Sequence, residues 1–320
     1  MNKHYNKIVF QGEKSSTNKR YFEGWYYKQV KQDSNYTISF IPGISYNKID
    51  PHCFIQCIIC NENNKLSSHY FKYDLSAFSH QNSPFSVQIN NSTFNEKSIN
   101  INLENSEIKV KGELYFENLE PLEASPLNPN IMGIFSYIPK MECNHHIISM
   151  NHKVLGSLII NDKTIDLTDG FGYMEKDWGK SFPSEYIWLQ CNNFENPDVK
   201  IALSAANIPF LGLSFRGFFC SLFVKDKEYR FATYNGSKLK VNSAKDGKTS
   251  ITLIKGNLKL HILGSVDEVQ SLASPKNGVM NNSIKEGLAG KVSILLKDSA
   301  TNYELNTDGT NAGIEIMMDV

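Results

Sequence analysis

The sequence lacks the features that mark several large functional classes. Its 320 residues contain no apolar run of the roughly 18–20 residues that a membrane-spanning helix requires. Lysine plus arginine and aspartate plus glutamate number 33 each, so the basic surplus of nucleic-acid-binding proteins is missing. The N-terminal residues have no apolar core of the kind found in signal peptides. We therefore expect no membrane span and no nucleic-acid partner.

Cysteine is scarce and irregularly spaced, with six residues in the chain. This usage indicates reduced thiols in a cytoplasmic protein rather than a disulfide framework. Cys53, Cys57 and Cys60 have a CxxxCxxC spacing that can hold an iron–sulfur cluster. They lie, however, in the apolar run CFIQCIIC, which predicts a strand whose alternate side chains point to opposite faces. We predict that they are small buried hydrophobic residues.

Signatures of nucleotide binding and of serine nucleophiles are also missing. The chain has no G-x-x-x-x-G-K-[ST] motif, and the glycines of 170–172 lack the third glycine of a dinucleotide-binding loop. The segment GLSFRG at 212–217 places its last glycine one position too late for a nucleophile elbow. We predict that the protein uses no cofactor.

Three histidines are close in sequence without the spacing of a metal site. His145 and His146 are adjacent, so their side chains diverge on a strand, and no cysteine or carboxylate near them or His152 has zinc-like spacing. We predict no bound metal. A histidine here is better suited to a hydrogen-bonding wall or a proton relay, because its pKa lies close to neutrality.

Short alternating segments separated by turn residues run through the whole chain and predict an all-β protein. The clearest is 107–116, where Ile108, Val110, Leu114 and Phe116 share one face. About fourteen such segments without intervening helices favour antiparallel sheets arranged as two barrel-like halves. We divide the chain into an N-terminal extension at 1–17, a first β domain at 18–165 and a second at 166–320. The proline- and asparagine-rich segment 121–133 is the expected connection.

All three tryptophans lie in motifs that also carry acidic residues or follow them closely. As strands, these motifs place on single faces Glu23, Trp25 and Tyr27; Tyr173, Glu175 and Asp177, with Trp178 opposite; and Tyr186, Trp188 and Gln190. One interpretation is that the tryptophans fill a core and the acids pair with Lys28 and Lys176. The other is that a carboxyl among aromatic rings has a raised pKa and donates a proton to an alkene. The rings would then stabilise the carbocation by cation–π attraction.

These motifs resemble those of the tocopherol cyclase family, which is similar to carotenoid 1,2-hydratases and to other two-domain lipocalin-like proteins. The resemblance rests on FEGWYYK at 22–28, GYMEKDWGKSFP and WLQCNNF within 172–194, and NAGIEIM at 311–317. It implies two lipocalin-like (calycin) antiparallel β-barrel domains with a cavity for an isoprenoid.

The resemblance also implies a reaction, namely cofactor-independent, acid-catalysed cyclisation of a prenylated hydroquinone or hydration of an isoprenoid. Glu175 is then the expected general acid, with Tyr173 and Asp177 as the other catalytic residues. The expected substrate-binding residues are Glu23, Trp25, Tyr27, Trp178, Trp188 and Gln190.

The expected partner is a small apolar or prenylated lipid, while peripheral membrane contact and the oligomeric state are left open. The alternative function is that of a non-catalytic lipid or isoprenoid carrier, since large barrels hold apolar ligands. A purely structural role ranks last.

Overall fold

The structure, a computed structural model, describes residues 8–12, 20–34, 36–138, 141–210 and 213–320. Most of the predicted N-terminal extension, and Gly212 of the incomplete nucleophile motif, lie outside the described residues. Within them the regular secondary structure is almost entirely β-strand, with short 3-10 helices at Leu75–Ala77, Gly133–Tyr137 and Thr233–Asn235. The all-β prediction is therefore confirmed. Among the described residues, no helix has the length and apolar character needed to span a bilayer.

The first of two large antiparallel sheets is built from the strands before residue 180. They are β1 (Tyr21–Val30), β2 (Thr37–Tyr46), β3 (His52–Cys60), β4 (Leu66–Tyr73), β5 (Phe78–Asn82), β6 (Phe85–Ile89), β7 (Ser92–Asn95), β8 (Ser98–Glu104), β9 (Lys109–Glu117), β10 (Cys143–Ile160), β11 (Lys163–Asp166) and β12 (Gly170–Gly179). Their order is β4-β3-β2-β1-β12-β10-β9-β8-β7-β6-β5, with β11 beside β10. The acid-bearing strand β12 thus lies in the middle of the sheet, between β1 and β10.

The second sheet is also antiparallel and is built from the strands after residue 185. Its strands are β13 (Tyr186–Cys191), β14 (Val199–Phe210), β15 (Leu213–Val224), β16 (Lys227–Ala232), β17 (Lys238–Lys245), β18 (Lys248–Lys255), β19 (Leu258–Ser265), β20 (Gln270–Lys276), β21 (Val279–Asp298) and β22 (Tyr303–Ile316). Their order is β16-β15-β14-β13-β22-β21-β19-β18-β17, with β20 beside β21. Among the described residues, the strand order of each sheet is an open path.

The chain divides into two compact units. Unit 1 comprises 1–130, 136–182 and 272–283, and unit 2 comprises 131–135, 183–271 and 284–320. β12 belongs to unit 1, where it pairs with β1 and β10. The hairpin segment 272–283 also belongs to unit 1, where Ser45 Oγ donates a 2.6 Å hydrogen bond to the Gly278 carbonyl.

Each unit has its own hydrophobic core, formed by alternate side chains of its strands. In unit 1 the core includes Trp25, Tyr27 and Met174, and in unit 2 it includes Ile187 and Leu189. Because the side-chain period of a strand is two, the residues between these positions point to the opposite face of each sheet. That opposite face carries Tyr173 and Glu175 in unit 1.

The six cysteines form no disulfide, and all of them are described. Cys53, Cys57 and Cys60 are fully buried within β3. Cys53 and Cys57 belong to the unit 1 core cluster, as expected for alternate positions on one strand face. This placement matches the prediction of small buried hydrophobic residues and not that of three converging cluster ligands.

Candidate active site

The pairing of β1 with β12 decides which side chains share a face with Glu175. Tyr26 lies opposite Glu175, whereas Trp25 lies opposite Lys176. Residues directly opposite each other in an antiparallel pair project to the same side of the sheet. Glu175 therefore shares its face with Tyr26, and Trp25 projects to the core side together with Lys176.

The strand on the other side, β10, contributes a histidine to the same face. His145 lies opposite Asp177, and Ile147 lies opposite Glu175. Since Tyr173, Glu175 and Asp177 alternate along β12, these residues and His145 bring two carboxylates, one imidazole and one phenol to the face that also carries the phenol of Tyr26. The sequence predicted that the three β12 residues share one face. It did not predict that β10, with His145, lies beside them.

His145 lies between the two carboxylates, hydrogen-bonded to Asp177 through Nδ1 and within ion-pair distance of Glu175 through Nε2. Its Nε2 lies 3.2 Å from Glu175 Oε2, and its Nδ1 lies 2.9 Å from Asp177 Oδ1. Tyr173 donates a further hydrogen bond of 2.6 Å to Glu175 Oε2. Glu175 is only 5% exposed and Tyr173 is fully buried. We call these four residues, Tyr173, Glu175, Asp177 and His145, the relay.

The electrostatics of the relay place a proton on the histidine. Burial lowers the pKa of His145, but the negative charges of Glu175 and Asp177 outweigh it and raise the pKa to about 10. Burial, reinforced by Glu175, raises the pKa of the Tyr173 phenol well above its ordinary value. Near neutral pH the site thus holds an imidazolium and a neutral phenol within hydrogen-bonding distance of carboxylates.

The same three charged residues are close enough to be considered as metal ligands. One ligand atom each from His145, Glu175 and Asp177 lies within 4.8 Å of the others. A metal ion would need one ring nitrogen and both carboxylates to converge on a single point. Here the two ring nitrogens face different carboxylates, with Nδ1 hydrogen-bonded to Asp177 and Nε2 within ion-pair distance of Glu175, which is the arrangement of an imidazolium between two anions.

The predicted wall residue Glu23 lies on the core side and is engaged in a buried ion pair. Its Oε1 is 2.5 Å from Lys176 Nζ, and neither side chain is exposed. Tyr21 also donates a hydrogen bond to this carboxylate. The interpretation that pairs an acid with Lys176 therefore holds for Glu23, while Glu175 forms an ion pair with His145 and accepts a hydrogen bond from Tyr173.

Two tryptophans predicted as neighbours of Glu175 are directed away from it. Lys176 Nζ lies 5.1 Å from the ring centroid of Trp25 and 4.8 Å from that of Trp178. The register puts both rings on the core side, so the expectation that they surround the Glu175 carboxyl is corrected. Tyr27 is likewise on the core side, stacked against Phe116 at 6.2 Å between centroids.

The remaining predicted wall residues belong to unit 2 and lie on the face opposite its core. Trp188 pairs with Glu315, and Gln190 pairs with Gly313. Tyr186 donates a hydrogen bond to Glu315, and Glu286 lies opposite Glu315 on β21. This group of aromatic, amide and carboxylate side chains is buried. The sequence signalled Glu315 only through the motif NAGIEIM, and it gave no indication of Glu286.

Tyr26 is the aromatic residue of β1 that sequence reasoning missed. Its ring lies 6.4 Å from that of Tyr173 in an edge-to-face arrangement, and Ser39 Oγ donates a 3.1 Å hydrogen bond to its hydroxyl. The alternation of β1 separates Tyr26 from Trp25 and Tyr27, but only the register with β12 shows which set faces Glu175.

An open cavity of about 630 Å³ lies in another part of unit 1. Its lining consists of Arg20, Asn47, Lys48, Ile49, Lys276, Asn277, Val279 and Asn281. None of the relay residues contributes to this lining. The cavity is therefore separate from the candidate active site.

Comparison with protein families gives one match that covers most of the chain. A family model described as tocopherol cyclase-like matches residues 121–317, which include β10, β12 and β13. The matched region thus contains the whole relay and the unit 2 group around Trp188.

Solved structures with the same fold are distant in sequence. A crystal structure of CghA has a TM-score of 0.61 at 9% identity, covering 94% of this chain and 89% of that one. Kievitone hydratase from Nectria haematococca has a TM-score of 0.56 at 12% identity, with 97% and 93% covered. A putative AttH from Nitrosomonas europaea has a TM-score of 0.56 at 11% identity, with 99% of each chain covered. At these identities the similarity establishes the fold alone. It agrees with the predicted lipocalin-like fold class.

Proposed function

The chain belongs to the tocopherol cyclase-like family, and from that premise we propose that it cyclises or hydrates an isoprenoid lipid by protonating a carbon–carbon double bond. The proton is delivered by Glu175 and supplied by His145. The observation that carries the proposal is the position of His145 between two carboxylates on the buried face of β12. This arrangement stores a proton within reach of a carboxylate that can pass it on.

The relay solves a problem that a lone carboxylate would have at neutral pH. A general acid must carry its proton before the reaction and yet release it readily. His145 carries a proton under these conditions because its pKa is raised to about 10. Transfer along the 3.2 Å contact from Nε2 to Glu175 Oε2 gives the protonated carboxyl, which then donates this proton to the double bond of the substrate. We expected aromatic rings around the Glu175 carboxyl. The mechanism does not require them, because His145 holds the proton before the reaction.

The chemical step is an isomerisation or an addition, and it involves no electron transfer. The Glu175 O–H bond breaks and a new C–H bond forms at one alkene carbon, leaving a carbocation at the more substituted carbon. In cyclisation a phenolic oxygen of the substrate forms a C–O bond with that carbon, and its proton returns to the relay. In hydration a water molecule takes the place of the phenol.

Asp177 and Tyr173 position the two groups that carry the proton. Asp177 accepts the 2.9 Å hydrogen bond from His145 Nδ1, which fixes the ring with Nε2 directed at Glu175. Tyr173 donates to Glu175 Oε2 and stabilises the carboxylate after the proton has left. The rings of Tyr26 and Tyr173 lie on this face and offer π-surfaces to a cation.

The family and the fold support both reaction outcomes. The family description refers to cyclisation, and one similarly folded protein is named a hydratase. We propose a prenylated hydroquinone as the substrate class, because it carries both the double bond to be protonated and the internal hydroxyl that can trap the cation. Such a substrate is largely apolar, in keeping with peripheral contact with membranes.

The test compares wild type with Glu175→Gln on a prenylated hydroquinone in deuterated water. Wild type is expected to form one of two products, each with one carbon-bound deuterium. Cyclisation gives an isomer of the substrate, and hydration gives the substrate plus one molecule of the deuterated water. Glu175→Gln is expected to lower kcat by at least about 10²-fold while leaving substrate affinity within a few fold. Glu117→Gln, at an exposed position on β9, is the matched control and should retain full activity.

The outcome that contradicts the proposal is a wild-type protein that binds the hydroquinone and returns it unchanged, without deuterium on carbon. That result, together with an unaltered affinity in Glu175→Gln, would instead identify a lipid carrier. Retention of full turnover by Glu175→Gln would exclude this residue as the acid.

A further inference from the structure

A second polar site lies inside unit 1, on the face of the sheet opposite the relay. Gln29 of β1 and His152 of β10 both lie opposite Gly172 of β12, so the three residues form one row across adjacent strands. Gln29 is two residues from Tyr27, and Gly172 is two residues from Met174, both of which project into the unit 1 core. The row therefore belongs to the core side.

The polar atoms of this row are buried without hydrogen-bond partners among the described residues. Gln29 and His152 are both 0% exposed. Both amide atoms of Gln29 and Nε2 of His152 lack a hydrogen-bond partner in the described part of the chain. The other ring nitrogen, Nδ1, lies 3.4 Å from Ser149 Oγ. Buried polar groups in folded proteins are nearly always satisfied, so three such atoms in one place call for a partner.

Gly172 brings the two side chains together at this point. A Cβ atom built on Gly172 would lie 2.2 Å from His152 Nε2 and 2.4 Å from Gln29 Oε1. Both polar atoms thus lie over the glycine, within one small region. Any side chain at position 172 would collide with both His152 and Gln29.

The surroundings determine the chemistry of the missing partner. Burial lowers the pKa of His152 to about 3, so the ring is neutral. The Phe116 ring lies 4.7 Å from the imidazole, and Tyr27 stacks on Phe116. A charged ligand would be costly in this apolar setting. The Gln29 amide offers a donor and an acceptor, and the neutral ring nitrogen offers one or the other, so the partner must both donate and accept.

We propose that Gln29 and His152 bind one uncharged hydroxyl group above Gly172, in the core of unit 1. The hydroxyl is supplied by an internal water molecule or by the alcohol end of an apolar molecule enclosed in this core. Internal waters typically make about three hydrogen bonds to otherwise unsatisfied groups, which the two side chains provide. The site is independent of the relay, because it lies on the other face of β12.

The first experiment looks for the hydroxyl directly in the wild-type protein. Magnetisation transfer from water to the ring protons of isotope-labelled His152 is expected if the occupant is an internal water. Mass spectrometry of a solvent extract is expected to show a stoichiometric alcohol if the occupant is a lipid, and Gln29→Leu should lose it. The proposal is overturned if neither signal is found and the labelled amide of Gln29 is bonded directly to His152.

The second experiment is a double-mutant cycle with Gln29→Leu and His152→Phe, measured by denaturant unfolding. Each single change is expected to lower the folding equilibrium constant about tenfold, because it leaves the other group without the bridging hydroxyl. The double variant should lose hardly more than either single one, since the hydroxyl is gone after the first change. Gln88→Leu, at an exposed position of β6, should have little effect. Additive losses in the double variant would show that no shared partner links the two residues.

Discussion

Glu23 and Lys176 form a wholly buried ion pair, with Lys176 Nζ 2.5 Å from Glu23 Oε1. Both residues of the pair also form hydrogen bonds with the N-terminal segment 8–12. Lys176 Nζ donates a 2.7 Å hydrogen bond to the Val9 carbonyl, and the Gln11 amide donates to Glu23 Oε1 at 2.9 Å. The acid and the lysine of two prominent sequence motifs therefore close the core rather than line a ligand site.

The first prediction concerns the stability of this pair. Lys176→Met is expected to lower the free energy of unfolding by about 3–5 kcal/mol, because it leaves the Glu23 carboxylate buried without its cation. Combining it with Glu23→Gln should restore much of the loss, since the uncompensated charge is removed. Urea unfolding of the single and double variants measures both effects.

The control for this prediction is Lys72→Met, which removes a lysine from an exposed pair with Asp50. Its expected cost is below about 1 kcal/mol, because solvent screens the pair. A loss in Lys176→Met no larger than in Lys72→Met would contradict the role assigned to the buried pair.

The second prediction concerns the attachment of segment 8–12. Trp25 Nε1 donates a 2.8 Å hydrogen bond to the Ile8 carbonyl, and Ile8 and Phe10 are part of the unit 1 core. Trp25→Phe removes the donor, so amide hydrogen exchange in 8–12 is expected to accelerate several-fold. Trp188→Phe in unit 2 serves as the control and should leave exchange in this segment unchanged.

The third prediction is a pH dependence of stability that arises from His145. Its pKa is raised from 6.5 to about 10 by Glu175 and Asp177, against the opposing effect of burial. Between these values the folded state binds a proton that the unfolded state does not, so stability falls as pH rises. The contribution is fully present below about pH 6.5 and is lost as the pH passes through about 10.

Chemical unfolding of wild type and His145→Gln across this pH range provides the measurement. The stability difference between the two proteins should be largest at the acidic end and shrink toward the alkaline end. A difference that is constant with pH would show that His145 is not protonated in the folded protein.

The fourth prediction separates the positioning role proposed for Asp177 from the catalytic role proposed for Glu175. Asp177→Asn removes one of the two negative charges that raise the pKa of His145. The alkaline limit of kcat/KM is therefore expected to move to lower pH, with KM nearly unchanged. Asp166→Asn, at an exposed position of β11, should leave the profile in place. A uniform loss of activity at every pH would argue for a merely structural Asp177.

Several features of the site could be predicted from the sequence because they depend on local alternation. The period of two along 173–177 places Tyr173, Glu175 and Asp177 on one face, and the structure keeps them there. The motifs that resemble tocopherol cyclases likewise need no tertiary information, and the family match over 121–317 agrees with them.

The partners of these residues could not be predicted, because strand pairing joins segments that are far apart in the chain. His145 reaches Glu175 only because β10 lies beside β12, with β11 displaced to the side. A shift of one residue in the register of β1 would have brought Trp25 rather than Tyr26 opposite Glu175.

The sequence by itself determined an all-β chain, the acidic face of its central strand and the family to which the chain belongs. These depend on residue type and on a side-chain period that every strand obeys. Only the tertiary structure decided that Trp25, Trp178 and Lys176 face the core and that a histidine holds the proton. Those outcomes depend on register and strand order, which are fixed by the packing of the whole sheet rather than by any one segment.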